Sequence, residues 1–234
     1  MNTGRAGEYV AKRSAVMVRY QDIIALLAGF LVSGCGADGV WGNAYQSLRM
    51  AVMGAPELEI SRESVDKTPY AMITARIGKL PGAILVLAEQ KGGANYWMSS
   101  NNISIVTSSG RLIRTVGLDR DLNLVRIEGN DPLAYAPHRL EKKVQYSGYM
   151  EILRPAPDNF SIQCHLEPGE AEQITIAELR FDTIHMTENC RASTGWKFKN
   201  HYWVDPYDGF IWQSRQHFLK GVAPMTIRVL KPAA

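Results

Sequence analysis

Hydrophobic and polar residues alternate with a period of two, or form short apolar runs, from about residue 70 to the C-terminus. Such segments predict β-strands, because successive side chains of a strand point to opposite faces. The predicted strands are residues 70–77, 83–88, 95–99, 103–107, 111–116, 122–127, 143–153, 159–166, 172–181, 184–190, 196–204, 210–215 and 226–230. The gaps between them are too short for the helices that parallel strands require. The pattern therefore predicts an all-β, antiparallel fold, either a barrel or a strongly curved sandwich.

One short N-terminal helix is predicted before the strands. Apolar and aromatic residues recur there at helical spacing, at Trp41, Ala44, Tyr45, Leu48 and Val52. Gly54 and Pro56 predict the end of this helix. Residues 57–67 read as a polar connection, and residues 131–141 read as an irregular crossing in which Pro137 disfavours any regular element.

The first 35 residues have the pattern of a bacterial lipoprotein signal. Arg13 and Arg19 precede an apolar run over residues 23–30, and the run ends in Leu31-Val32-Ser33-Gly34-Cys35. About 20 apolar residues are needed to span a membrane, and this run is roughly half that length. The alternative is a short buried helix with a core cysteine. We expect a signal peptide over residues 1–35, lipidation of Cys35 and a single periplasmic β domain over residues 36–234.

Lipidation of Cys35 predicts where the protein resides. One myristoyl chain binds a membrane only marginally, whereas two or more acyl chains hold a protein there stably. Gly36 follows the cysteine, where an aspartate would indicate retention at the inner membrane. We therefore expect the protein at the periplasmic face of the outer membrane. The start of translation stays open between Met1 and Met17, because Met17 opens a more typical signal.

The charge balance argues against nucleic acid as a partner. The whole chain has 26 basic and 23 acidic residues. Removing residues 1–34 takes away four basic and two acidic residues, which leaves 22 against 21. A nearly neutral domain lacks the basic surface that nucleic acid requires. The two remaining cysteines, Cys164 and Cys190, form an even pair in an oxidising compartment and predict a disulfide.

The densest group of aromatic and polar side chains lies in a predicted hairpin over residues 196–216. Alternation predicts that Trp196, Phe198, Asn200 and Tyr202 share one face of its first strand, with Lys197, Lys199, His201 and Trp203 on the other. Side chains that stack on sugar rings and bond their hydroxyls make a glycan or partner contact possible. The candidates for that contact are Trp196, Tyr202, Trp203, Asp205, Asp208 and Trp212. The alternative is that the aromatics fill the core and the two aspartates cap the turn.

Catalytic chemistry has little support in the sequence. The nucleophile elbow, the zinc-protease signature, the phosphate loop and the dinucleotide fingerprint are all missing from it. Asp205 and Asp208 resemble a glycosidase pair only in residue type, since both belong to a polar turn where water keeps carboxylates ionised. His165 and His185 lie near the cysteines, but their spacing matches no zinc pattern. We therefore expect no enzyme activity, no metal and no cofactor.

The sequence also resembles a known family, the YjbF/GfcB lipoproteins of group 4 capsule and exopolysaccharide loci. The resemblance rests on residues 69–78 (PYAMITARIG), 83–88 (AILVLA), 97–100 (WMSS), 110–118 (GRLIRTVGL) and 200–206 (NHYWVDP). It continues at Gly209, Trp212, Ser214, Gln216 and Leu230-Lys231-Pro232. Together with the lipoprotein signal, these stretches cover nearly the whole chain in order.

The resemblance implies a lipid-anchored, barrel-like periplasmic protein that acts in capsule assembly or polysaccharide secretion, without catalytic residues. Its expected partners are membrane lipid through Cys35 and either polysaccharide export proteins or the polysaccharide itself. Two alternatives remain. One is a periplasmic enzyme that modifies the glycan with Asp205, Asp208 or His201. The other is a general envelope lipoprotein whose partner is another protein.

Overall fold

The computed structural model describes residue 58 and residues 60–153 and 158–233. Cys35 and the helix predicted over residues 41–52 lie outside the described residues. Within them the chain forms thirteen β-strands, one α-helix (α1, Arg62–Lys67) and one 3-10 helix (Pro137–Arg139). The strands are β1 (Met72–Ile77), β2 (Ala83–Lys91), β3 (Ala94–Met98), β4 (Ser104–Ser108), β5 (Arg111–Val116), β6 (Leu122–Ile127), β7 (Val144–Ile152), β8 (Asp158–Glu167), β9 (Ala171–Ile176), β10 (Leu179–Ala192), β11 (Lys197–Val204), β12 (Ile211–Gln216) and β13 (Met225–Lys231). The predicted all-β, antiparallel fold is confirmed.

All thirteen strands belong to one sheet, and twelve of them follow a single path that curls into a nearly closed barrel. Their order is β5-β4-β3-β2-β1-β13-β12-β11-β10-β8-β7-β6, and every pairing is antiparallel. Side-chain hydrogen bonds bridge the two edge strands. The Leu122 N–H donates to Thr115 Oγ1 at 2.9 Å, and that hydroxyl donates to Asp121 Oδ1 at 2.9 Å. Closing the sheet in this way protects the edges that an open sheet would expose.

Strand β10, with 14 residues, is the longest of the described strands and pairs with two strands along one edge. Leu179–Ile184 pairs with β9, and residues 187–192 pair with β8. Between these two pairings the chain passes close to β10 at Gly169. A Cβ at Gly169 would lie 2.1 Å from the His185 carbonyl oxygen, so only glycine fits there. Strands β8 and β9 thus continue one another, with a break that lets the β9–β10 hairpin leave the barrel.

The β9–β10 hairpin and α1 cover part of the outer face of the barrel. They bury a small apolar cluster formed by Val65, Met72, Ile174, Ile176 and Leu230. Phe181 of the hairpin stacks on Trp212 with ring centroids 4.1 Å apart. The Arg62 N–H donates to Glu178 at the tip of the hairpin at 3.3 Å. These contacts hold the hairpin against strands β1, β12 and β13.

Two local predictions were wrong. Residues 172–181 were predicted as one strand, but a tight turn at Ala177 and Glu178 divides β9 from β10. Both residues have positive φ angles, of 45° and 69°, which glycine or asparagine usually supplies, so the sequence lacked the usual turn signal. Residues 57–67 were predicted as a polar connection, but they contain α1, which Ser61 caps through its hydroxyl.

The predicted irregular crossing over residues 131–141 also contains a short regular element. Its 3-10 helix begins at Pro137, the residue taken to disfavour one. Proline is tolerated at the first position of a helix, because the N–H that it lacks would be unpaired there.

Among the described residues, no helix is both long and apolar enough to cross a membrane.

Candidate functional site

Strand β11 has the alternation that the sequence predicts. Phe198, Asn200 and Tyr202 point into the barrel, whereas Lys197, Lys199, His201 and Trp203 point outwards. Trp196 precedes the strand and packs on Phe198 with ring centroids 4.3 Å apart. The strand therefore contributes to two different surfaces, the barrel interior and the outer face.

The aromatic candidates do not form one strip for a sugar. Tyr202 is completely buried inside the barrel, so its ring has no surface to offer a ligand. Trp203 lies outside the barrel and stacks in parallel on His185, with ring centroids 4.7 Å apart. Trp212 is held beneath the β9–β10 hairpin, and its indole N–H donates to Asp205 Oδ2 at 3.0 Å. Packing within the protein thus occupies most of these rings.

Asp205 and Asp208 cap the turn between β11 and β12. Asp205 Oδ1 accepts from the Tyr207 N–H at 2.9 Å, and Asp208 Oδ1 accepts from the Phe210 N–H at 2.8 Å. A carboxylate that caps backbone N–H groups stabilises the turn. In the part of the chain that the structure describes, no three His, Cys, Asp or Glu side chains are grouped to hold a metal ion.

The barrel interior contains a layer of charged side chains that the sequence analysis missed. Arg111 of β5 makes a bidentate ion pair with Asp131, at 2.6 and 3.0 Å, and Nη1 lies 2.8 Å from Glu188 Oε1. Glu188 of β10 also accepts hydrogen bonds from Tyr146 and from Asn200 Nδ2, the latter at 2.6 Å. We call Arg111, Asp131, Glu188, Tyr146, Asn200, Tyr202 and Gln216 the polar layer.

The polar layer separates two apolar clusters of the core. On β10 the inward residues run from Met186 in one cluster, through Glu188, to Cys190 in the other. Although burial acts to lower the pKa of Arg111, the nearby Glu188 carboxylate raises it above its ordinary value. Burial, followed by Glu188, raises the pKa of Tyr202 well above its ordinary value, so this phenol stays protonated. The layer therefore joins the Arg111 guanidinium to two carboxyl groups, Asp131 and Glu188, with the neutral donors of Tyr146, Asn200 and Tyr202 around Glu188.

One sequence signal could have revealed the polar layer. Glu188 occupies a position in the apolar phase of its strand, between Met186 and Cys190. A charged residue in that phase must be paired when the strand is buried. The partner, Arg111, lies 77 positions away in the sequence, so local patterns cannot identify it.

The outer face of β7, β8, β10 and β11 forms a second candidate site, a concave groove of about 930 Å³. We call this surface the outer groove. Its principal polar side chains are Gln145, Gln163, Asn189, Arg191, Lys197 and Lys199. It lies within the usual volume range of ligand sites, which is roughly 300–1,000 Å³.

Strand register arranges the outer groove in two rows across the four strands. One row is Ser147, Gln163, Arg191 and Lys197, and the other is Gln145, His165, Asn189 and Lys199. Neighbouring strands lie about 4.8 Å apart, so each row is about 14 Å long. All the lysine and arginine side chains of the outer groove come from β10 and β11.

Cys164 and Cys190 lie opposite each other on β8 and β10, directly beneath the outer groove. Their sulfur atoms are 1.96 Å apart, at bonding distance. A disulfide here would join two neighbouring strands of the groove floor. The sequence analysis named Lys197, Phe198, Lys199, His165 and the two cysteines among the residues of the outer groove. It did not single out the others, because only the strand order places them side by side.

Comparison with known proteins identifies the family. Residues 45–230 match the model of the family described as "Group 4 capsule polysaccharide lipoprotein gfcB, YjbF". The chain belongs to this family. The match includes every strand of the barrel, both rows of the outer groove and the polar layer, and it bears out the resemblance seen in the sequence.

Relatives in Escherichia coli K12 match over nearly their whole length. The chain is 26% identical to the uncharacterized lipoprotein GfcB over 215 residues, which cover 90% of this chain and 98% of that protein. It is 22% identical to the uncharacterized lipoprotein YjbF, over 89% of this chain and 96% of that protein. The crystal structure of the hypothetical lipoprotein YmcC from E. coli K12 has the same fold, with a TM-score of 0.69 and 23% identity over 80% of this chain and 95% of that one. The family is thus one of capsule-associated envelope lipoproteins.

Proposed function

We propose that this protein is a non-catalytic accessory lipoprotein that supports the assembly and export of a capsule or related exopolysaccharide. The observation that carries the proposal is the family match over residues 45–230. The geometry of the β11–β12 turn supports a non-catalytic role, because Asp205 and Asp208 are both engaged as caps. Their carboxylates stabilise the turn.

The proposal includes a lipid anchor at Cys35 after residues 1–34 of the signal peptide are removed. Residues 36–234 then form one periplasmic domain at the inner surface of the outer membrane. Two or more acyl chains on one thiol would hold the domain there durably, whereas one chain would not. From that position the domain can contact polysaccharide export proteins or the polysaccharide itself.

Deletion of the gene tests the role in polysaccharide export. We expect extracellular polysaccharide to fall in the deletion strain and to return when the intact gene is supplied. Complementation with Asp205→Ala, Asp208→Ala or His201→Ala tests the enzymatic alternative. A folded variant that fails to restore the polysaccharide would favour catalysis, whereas unchanged secretion by all three would favour an accessory role. Unchanged polysaccharide in the deletion strain would refute the proposed function.

Labelling with palmitate tests the anchor. Cells grown with labelled palmitate should yield a labelled protein in the membrane fraction, and the Cys35→Ser variant should be unlabelled. An intact N-terminus with an unmodified Cys35 thiol by mass spectrometry would contradict the anchor. That outcome would refute the anchor only, and the deletion experiment would still test the role in polysaccharide export.

A further inference from the structure

We propose that the outer groove binds an anionic polysaccharide, with cations from β10 and β11 contacting the acidic groups of the chain. This inference rests on the proposed function and adds to it a binding surface and a class of ligand. It is carried by the charge, the hydrogen-bonding groups and the shape of the outer groove.

The acid and base content of the outer groove is one-sided. Arg191, Lys197 and Lys199 line it, and no aspartate or glutamate among the described residues does. None of the three cations has an ion-pair partner in the described part of the chain. Two carboxylates lie at the margin, and both are engaged. Glu167 pairs with Lys143 at 3.2 Å, and Glu128 accepts from the Ser147 hydroxyl.

Burial is the main cause of the lowered pKa of two histidines near these cations, and neighbouring positive charges add to it. Burial lowers the pKa of His217, which lines the outer groove. Its hydrogen bond with the Lys199 carbonyl acts to raise that pKa, and the positive charge of Arg215 acts to lower it. Burial likewise lowers the pKa of His201, followed by the positive charges of His185, Arg215 and Lys199. A site with this potential attracts anions and disfavours cations.

Hydrogen-bonding groups suited to sugars accompany the charge. The side-chain amides of Gln145, Gln163 and Asn189 face the outer groove from three successive strands. Within the described residues these amides make no hydrogen bond to protein. Each amide has both donors and an acceptor, as a sugar hydroxyl does. Each row of the outer groove therefore contains both free amides and cations, which complements a polymer that carries hydroxyls and acidic groups.

The shape of the outer groove favours a polymer over a membrane surface. Its rows are about 14 Å long, the width of four strands, which exceeds the size of a single sugar. A bilayer surface is flat and would meet the rim of a concave groove before its floor. Among the residues that the structure describes, no large exposed apolar side chain that could insert into lipid lines the outer groove. The groove therefore suits an oligosaccharide segment better than lipid headgroups.

The test compares the full chain with a variant in which Arg191, Lys197 and Lys199 are all changed to Gln. The probe is an oligogalacturonate, in which every sugar carries a carboxylate, and its affinity is measured by calorimetry at low and at physiological salt. We expect the triple variant to lose about tenfold or more in affinity at low salt, and the loss to shrink as salt screens the charges. Should the triple variant fail to fold, each single variant is expected to lose about two- to fivefold.

A matched control removes the same three charges elsewhere. Lys91, Arg114 and Arg180 are exposed and lie outside the outer groove. A Lys91→Gln, Arg114→Gln, Arg180→Gln variant should bind the probe within about twofold of the unchanged protein. Lys91 and Arg114 lie on β2 and β5, and Arg180 lies at the end of β10 that pairs with β9, away from Arg191. An equal loss in this control would show that net charge decides binding and would overturn the proposal.

Two competitors of the probe distinguish an anionic polysaccharide from other ligands of the outer groove. Neutral dextran oligomers should not displace the probe, and glycerophosphoglycerol, the headgroup of an anionic lipid, should displace it weakly. Displacement by the headgroup at equal concentration would show that the groove takes lipid headgroups, and the polysaccharide proposal would fail. If deletion reduces the extracellular polysaccharide but the groove variant binds the probe normally, this inference fails while the proposed function stands. Unchanged extracellular polysaccharide in the deletion strain would instead refute the proposed function, whatever the groove variant binds.

Discussion

Replacing Arg111 with methionine removes the cation from the polar layer while keeping much of its side-chain length. Glu188 is completely buried, and Arg111 is the basic residue in contact with its carboxylate. Without that cation, Glu188 is a buried charge held only by neutral donors such as Asn200. Breaking a buried ion pair by removing one partner costs about 3–5 kcal/mol of folding free energy. We expect Arg111→Met to lower the free energy of unfolding by that amount.

Removing the carboxylate of Glu188, in place of the cation of Arg111, should lower the free energy of unfolding by less. In Glu188→Leu the guanidinium of Arg111 keeps its bidentate pair with Asp131, so a counter-charge remains. We expect a loss of about 2–3 kcal/mol, from the unpaired donors that surrounded the carboxylate. The double variant Arg111→Met, Glu188→Leu should be less destabilised than the sum of the single variants, by about 2 kcal/mol or more, because removing both charges avoids leaving either one unpaired.

Urea unfolding followed by tryptophan fluorescence measures these losses, with the sulfur pair kept oxidised throughout. Arg114→Met is the matched control, because Arg114 is exposed on the same strand and should change stability by no more than about 0.5 kcal/mol. A loss below about 1 kcal/mol for Arg111→Met, or strict additivity in the double variant, would refute the reasoning from the buried pair.

Three further outcomes are expected. Changing Cys164 and Cys190 together to serine should lower the free energy of unfolding by about 3–4 kcal/mol in the chain-entropy model, for a separation of 26 residues; equal masses of the oxidised and the reduced, alkylated protein would rule the disulfide out. The pKa values of His201 and His217 are lowered in the folded protein, so the unfolded chain binds more protons near their ordinary pKa of about 6.5. The free energy of unfolding, measured with urea, should therefore fall as the pH drops from about 8 to 5. A flat profile would contradict this. Gly169→Ala should cost more than about 2 kcal/mol in the same assay, because its Cβ would meet a backbone carbonyl oxygen of β10 at 2.1 Å, and a neutral effect would contradict the close approach.

Local sequence patterns determined most of the strands of this protein. Alternation over residues 197–204 placed Lys197 and Lys199 on the opposite face from Tyr202, and the structure confirms that division. The turn after β11 was also correct, because Pro206 and Gly209 have strong local preferences and Gly209 has a φ of 82°. Such signals act over a few residues, so a single sequence is enough to read them.

Local patterns failed where tertiary contacts decided the outcome. The turn at Ala177 and Glu178 has no favourable turn residue, and it forms because the hairpin packs on α1 and on β12. Helix α1 is too short to be stable alone and depends on burying Val65 against the barrel. These elements are stabilised by partners distant in the sequence.

The sequence by itself determined the all-β class, the antiparallel strands and the family resemblance, because alternation, turn residues and short matched stretches are local properties. Only the tertiary structure decided the order of the strands round the barrel. That order brings Arg111 to Glu188 inside the barrel, and it places Gln163 beside Arg191 on the outer face. Both sites depend on which strands become neighbours, and neighbours are chosen by burial and hydrogen bonding summed over the whole sheet.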